Sequence, residues 1–92
     1  MLLVVDVGNT GTVLGVVEGD RILGRWEVMT TERTSDEWSL VIRSMLRSSG
    51  LGPTDAALAR VVPDATRVLR RAWAEVGGSE RVVVGRGGKS GM

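Results

Sequence analysis

The chain has 92 residues, of which 42% are hydrophobic and 25% charged, a composition typical of a single globular domain. A formal net charge of +1 gives no electrostatic reason to expect a nucleic acid or an anionic membrane as a partner. Because cysteine and histidine are absent, disulfides, thiolate metal sites and a histidine general base are excluded. The first apolar run stops at Asp6, too short to span a bilayer and without the features of a secretion signal, so we expect a cytoplasmic protein.

The N-terminal third of the sequence predicts three β-strands in an antiparallel meander. "LLVVDVG" (2–8) is a nearly continuous apolar run, typical of a strand covered on both faces. "TVLGVVEG" (12–19) and "RILGRWEV" (21–28) follow, and the Gly-Asp pair at 19–20 suits a two-residue hairpin turn. Connections this short join neighbouring antiparallel strands.

Two amphipathic helices are predicted after the meander. "TSDE" (34–37) has the spacing of a capping box, with Thr34 as N-cap and Glu37 reaching back to its amide. Asp64 is expected to cap the second helix. Each helix carries one apolar stripe at helical spacing. The stripes consist of Trp38, Val41, Ile42, Met45 and Leu46 in the first helix, and of Ala65, Val68, Leu69, Ala72, Trp73 and Val76 in the second.

Short apolar segments alternate with these helices and complete a sheet. "AALARVV" (56–62) predicts a fourth strand that pairs parallel with the first through a crossover, and "RVVV" (81–84) predicts a fifth. The order β-β-β-α-β-α-β predicts an α/β fold, a mixed five-stranded sheet with helices packed on it. This is the ribonuclease H-like layout shared with actin-like ATPases. We assign residues 1–84 to such a half-domain and the glycine-rich residues 85–92 to a tail leading to a missing second lobe.

The segment "DVGNTGTV" (6–13) is the candidate functional motif. Asp6 is expected at the C-terminal end of the central strand, followed by a turn that directs main-chain N–H groups and the Asn9 and Thr10 side chains into one concavity. Such donors suit phosphate oxygens, and Gly8 and Gly11 let the backbone approach closely. Because a carboxylate repels phosphate, we expect Asp6 to hold a hydrated Mg²⁺ that bridges the phosphates.

The predicted phosphate-binding set is continuous along the chain and comprises Asp6, Val7, Gly8, Asn9, Thr10, Gly11, Thr12 and Val13. Asp6 is the predicted metal ligand. A purely structural interpretation stays open, in which Asp6 caps the turn and the glycines only shape a hairpin.

"LLVVDVGNTGTVLGVVEGDRILGRWEV" resembles the N-terminus of type III pantothenate kinases, whose signature is an Asp-x-Gly-Asn-Thr loop after the first strand. The resemblance continues through "RTSDEW", "ALARVVPDAT" and "VVVGRGGKSG" and covers the whole chain. It implies that residues 6–13 bind ATP phosphates and that the reaction is ATP-dependent phosphorylation of pantothenate, the first step towards coenzyme A. It also implies a homodimer that needs Mg²⁺ and a monovalent cation, K⁺ or NH₄⁺.

The chain departs from the family pattern at two positions and in one segment. Gly11 stands where the family commonly has Asn, and Arg60 replaces a small residue, usually Ser, in the predicted fourth strand. A buried, unpaired arginine is costly, so Arg60 must reach solvent, an acid or a ligand. The family's Gly-x-Asp-Arg segment, which supplies the catalytic Asp, lies beyond the chain. We therefore assign no catalytic residue here and expect a truncated lobe that is inactive alone.

Two other functions stay open. One is a non-catalytic remnant that binds a nucleotide or another subunit. The other is a two-metal nuclease that uses Asp6, Glu37 and Asp64, although Glu37 is better explained by the capping box. A Walker A loop at "GGKS" (87–90) is disfavoured because Val83 stands where that motif requires glycine.

Overall fold

The computed structural model describes residues 1–79 and 82–85, and their elements follow the predicted order. These are β1 (Leu2–Val7), β2 (Gly11–Glu18), β3 (Arg21–Met29), α1 (Ser35–Ser49), β4 (Asp55–Ala59), α2 (Pro63–Glu75) and β5 (Val82–Gly85). One five-stranded sheet has the order β3-β2-β1-β4-β5, with β1 in the centre. The first three strands pair antiparallel, and β4 pairs parallel with both β1 and β5. The predicted mixed sheet is confirmed. The predicted tail after Gly85 lies outside the described residues.

The core lies between one face of this sheet and the two helices. Leu3 and Val5 of β1 are buried, whereas Leu2 and Val4, which point to the opposite face, are half-buried. The expectation that both faces of β1 are covered was therefore wrong. The helical stripes are confirmed, since all of their residues except the half-buried Ala65 are buried or pack against the buried cluster. That cluster consists of Leu3, Val5, Leu14, Val16, Trp38, Ile42, Met45, Ala56, Leu58, Leu69, Ala72 and Trp73.

The first helix begins as its capping box predicts, but the second does not begin at an acidic cap. Thr34 Oγ1 accepts from the Glu37 amide at 3.1 Å, and Glu37 Oε1 accepts from the Thr34 amide at 2.8 Å. The N-cap of α2 is Val62, with no side-chain hydrogen bond, and Asp64 in the first turn pairs with Arg67 at 2.5 Å. The fixed φ of Pro63 suits the start of a helix without such a cap.

The fourth strand is shorter than predicted, because β4 ends at Ala59 and not at Val62. Arg60, expected inside the strand, follows its end with a φ of 58°. This left-handed conformation is uncommon for residues other than glycine, asparagine and aspartate, and it is incompatible with continued strand geometry. Neither described helix is both long and apolar enough to cross a membrane.

Candidate functional site

The turn between β1 and β2 lies at the carboxyl end of the central strand. The Gly8 N–H donates to the Gly11 carbonyl at 2.9 Å and closes the turn. A Cβ on Gly8 would lie 2.8 Å from that carbonyl oxygen, so this position requires glycine unless the main chain shifts. Asn9 and Thr10 at the tip are exposed, and their amides donate to none of the described residues. The turn therefore presents two neighbouring N–H groups to solvent.

Thr30, the residue after β3, anchors this turn. Its hydroxyl donates to the Gly8 carbonyl at 2.8 Å and lies 2.9 Å from the hydroxyl of the fully buried Thr12. The Thr30 amide donates to the Thr10 carbonyl at 2.9 Å. These contacts tie both ends of the turn to Thr30, directly after the end of β3. Sequence reasoning missed Thr30. The available signal was Thr12, because a threonine on the buried face of an apolar strand needs a hydrogen-bond partner for its hydroxyl.

The structure separates the predicted phosphate-binding residues into distinct environments. Asn9 and Thr10 carry the open amides, whereas the Gly8 amide is occupied in closing the turn. Residues 11–13 belong to β2, whose main chain pairs with β1 on one side and β3 on the other. Val7 pairs with Thr12 at the end of β1. The open main-chain donors thus span a shorter segment than the sequence predicts.

Asp6, the predicted metal ligand, pairs with Arg60. Arg60 Nε donates to Asp6 Oδ1 at 2.7 Å, and the two side chains are 55% and 37% exposed. The carboxylate raises the pKa of Arg60 above its ordinary value, first through the hydrogen bond and then through its charge. In the parallel register Asp6 lies beside Ala59, the last residue of β4, so the side chain of the following residue, Arg60, reaches across to it. The expectation that Arg60 reaches solvent or an acid is confirmed, although the sequence did not identify the acid.

A cleft of about 550 Å³ lies on the helix side of the same sheet end. Of the predicted set, Val7 and Thr12 line it, but Asp6 does not, because side chains alternate along β1. The cleft wall also contains Arg33, whose guanidinium lies 5.3 Å from the centroid of the Trp38 ring. Its volume is in the range of small-molecule sites. The open turn and this cleft therefore lie at the same end of the sheet, and Thr12 and Thr30, which hold the turn, also line the cleft.

The residues around the turn fit a phosphate chain with its Mg²⁺ better than a metal bound by protein alone. No group of three or more His, Cys, Asp or Glu side chains suited to a metal occurs among residues 1–79 and 82–85. Mg²⁺ is commonly held by one or two carboxylates together with waters and substrate phosphates, and Asp6 offers one such carboxylate. Glu37 is engaged in the α1 cap and Asp64 with Arg67, so the carboxylates of the nuclease alternative form no cluster.

The chain is similar to known proteins in sequence and in fold. The family model described as type III pantothenate kinase matches residues 2–92. Over 96 residues the chain is 43% identical to a type III pantothenate kinase of Geobacter sulfurreducens and 41% identical to one of Myxococcus xanthus, and each match covers 100% of the chain but 38% of the relative. ROK hexokinase from Thermus thermophilus shares the fold at a TM-score of 0.69 and 18% identity, over 92% of this chain and 33% of that one. Because the family model matches residues 2–92, which is nearly the whole sequence, the chain belongs to the type III pantothenate kinase family.

Proposed function

We propose that this chain forms the phosphate-binding lobe of a type III pantothenate kinase, which transfers a phosphoryl group from ATP to pantothenate. The observation that carries the proposal is the pair of open amides at Asn9 and Thr10, at the end of the strand that holds Asp6. The family match over residues 2–92 supports it. Because the chain spans 38% of the length of the curated relatives it matches, the activity of the complete enzyme is part of the proposal.

In this proposal the turn binds the phosphates through rigid main-chain donors. The Asn9 and Thr10 amides donate to phosphate oxygens, and the absence of a Cβ at Gly8 keeps the turn tight enough to present them. Thr30 holds the turn in place before the ligand arrives. Donors that are already oriented stabilise charge without the cost of ordering them at each turnover.

Asp6 is the residue that would hold Mg²⁺ at the phosphates, and the bound ion would neutralise part of their charge. No general base is assigned in this chain, because its sequence contains no Gly-x-Asp-Arg segment. The family relationship supports the remaining parts of the proposal, which are a homodimer, a requirement for K⁺ or NH₄⁺, and catalysis completed by a second lobe that follows residues 85–92.

Calorimetric titration of Mg-ATP into the purified chain tests the binding part of this proposal. We expect wild type to bind and Asp6→Ala to lose most of that binding. Asp20→Ala is the matched control, because Asp20 is an exposed carboxylate in the turn between β2 and β3, at the opposite end of the first two strands. If wild type shows no binding at millimolar Mg-ATP, or if the two variants behave alike, the assignment of the turn is wrong.

A chimera tests the catalytic part. The 96 aligned residues of the Geobacter sulfurreducens relative would be replaced by this chain, and the product assayed for phosphorylation of pantothenate. We expect the chimera to be active and its Asp6→Ala version to be inactive. A folded chimera that binds Mg-ATP but transfers no phosphate would favour the alternative of a non-catalytic nucleotide-binding remnant.

A further inference from the structure

We propose that Arg60 is a further phosphate-binding residue of this site, held in position by Asp6. The inference rests on the proposed function, because it adds a cation to the same turn. The resemblance to the family implies a small residue at this position, so the guanidinium distinguishes this chain. Its placement follows from the sheet, in which β4 runs parallel to β1 and ends beside Asp6.

The guanidinium lies next to the phosphate-binding turn. Its Nη2 atom is 3.9 Å from the position that a Cβ on Gly8 would occupy, and Gly8 adjoins the open amides of Asn9 and Thr10. Asp6 is the one side chain in the described part of the protein that hydrogen-bonds to Arg60. A guanidinium carries five N–H donors in a fixed fork, more than the single Nε contact uses. The terminal donors of this half-exposed side chain are therefore available to a ligand.

The backbone at Arg60 is constrained in the way expected of a ligand-binding position. Among the residues that the structure describes, Arg60 is the only one other than glycine with a positive φ, 58°. Bulky residues in this region are strained, and they persist where the surrounding structure determines them, frequently at ligand sites. This observation is independent of the contact with Asp6.

Arg60 also balances the negative charge of Asp6 at this site. Without it, the turn would present the Asp6 carboxylate alone to an incoming triphosphate, and the two would repel each other. With it, the pair carries no net charge, and the guanidinium offers a planar fork that matches phosphate oxygens. Arg60 therefore supplies part of the charge neutralisation that Mg²⁺ would otherwise supply alone. It follows that Arg60 matters most when the metal is scarce.

Calorimetric titrations of the full chain test this inference. ATP and inorganic triphosphate are each titrated in Mg²⁺ and in EDTA against wild type, Arg60→Asn and Arg60→Lys. Asparagine is chosen because it tolerates the left-handed backbone better than other uncharged residues with a side chain, so this variant removes the charge with the least strain. Arg71→Gln is the matched control, because it removes an exposed arginine that pairs with Glu75 in the last turn of α2.

We expect Arg60→Asn to weaken the binding of triphosphate and of ATP by roughly tenfold, with the larger loss in EDTA. Arg60→Lys keeps the charge but not the planar fork of N–H donors, so its affinity should fall roughly threefold. Arg71→Gln should bind like wild type. The inference fails, although the proposed function stands, if the affinity of Arg60→Asn stays within about twofold of that of wild type or exceeds that of wild type in EDTA. Should Arg60→Asn not fold, unchanged affinity in Arg60→Lys overturns it. Absence of any binding by wild type defeats the proposed function and this inference together.

Discussion

Arg60 Nε lies 2.7 Å from Asp6 Oδ1, and this contact joins the carboxyl ends of two neighbouring parallel strands. Both side chains are more than one third exposed, with 55% and 37% of their surface accessible, and ion pairs in such positions contribute little to stability. The contact is therefore expected to matter for ligand binding more than for folding. It also means that the carboxylate predicted to bind a metal is partly neutralised before any ligand is present.

A double-mutant cycle on this pair should show strong coupling in phosphate affinity and weak coupling in thermal stability. In EDTA, Asp6→Asn made in the Arg60→Asn background should strengthen triphosphate binding, because it removes a repulsive charge. In wild type the same change should strengthen triphosphate binding less, or weaken it, because Arg60 loses the carboxylate that holds it in position. Calorimetry and thermal unfolding of the four proteins measure both quantities. If the affinity changes of the two single variants, multiplied together, equal that of the double variant within about twofold, the two residues act independently.

Gly8→Ala should destabilise the protein, because the new Cβ would meet the main-chain oxygen of Gly11 at 2.8 Å. We expect a loss of about 1–3 kcal/mol in the free energy of unfolding, measured in urea, together with weaker Mg-ATP binding. Gly11→Ala is the control from the same turn. Its Cβ would meet the Glu27 carboxylate, the end of a flexible side chain that is 55% exposed and can move. Equal losses in the two variants would mean that the turn is not held as described.

Thr30→Val should loosen the turn while keeping nearly the same side-chain shape. The change removes the hydroxyl that donates to the Gly8 carbonyl and leaves the buried Thr12 hydroxyl without its partner. An unsatisfied buried polar group costs about 1–3 kcal/mol, so we expect a loss of that size in urea unfolding and a weaker affinity for Mg-ATP. Thr66→Val, on α2, removes only a hydrogen bond to the carbonyl of Val62, the N-cap of that helix, and should change stability by about 0.5 kcal/mol or less. A neutral Thr30→Val would show that the hydroxyl does not support the turn.

Glu37→Gln should leave stability nearly unchanged, because glutamine also completes a capping box, whereas Thr34→Ala should cost about 1 kcal/mol. Urea unfolding of the two variants measures this difference.

The same proteins test the nuclease alternative, which would use Glu37 as a metal ligand. We expect no metal-dependent cleavage of an RNA–DNA hybrid by wild type. Cleavage that disappears in Glu37→Gln would instead make the nuclease the leading account.

The sequence alone predicted what depends on local interactions. The capping box at Thr34, the two apolar helical stripes and the short turns each involve residues a few positions apart, and their periodicity or spacing is visible in a single chain. The same holds for the turn that begins at Gly8. Its glycines and small polar residues mark a close backbone approach whatever surrounds them. Family membership followed from the same motif.

The tertiary structure decided what depends on register and on long-range packing. The exact end of β4, the conformation of Arg60 and the anchoring role of Thr30 all arise where distant segments meet. Arg60 and Asp6 are 54 positions apart, and only the parallel alignment of β4 with β1 brings their side chains together. A shift of one residue in a strand reverses the face to which each side chain points, so no local pattern could specify this pair.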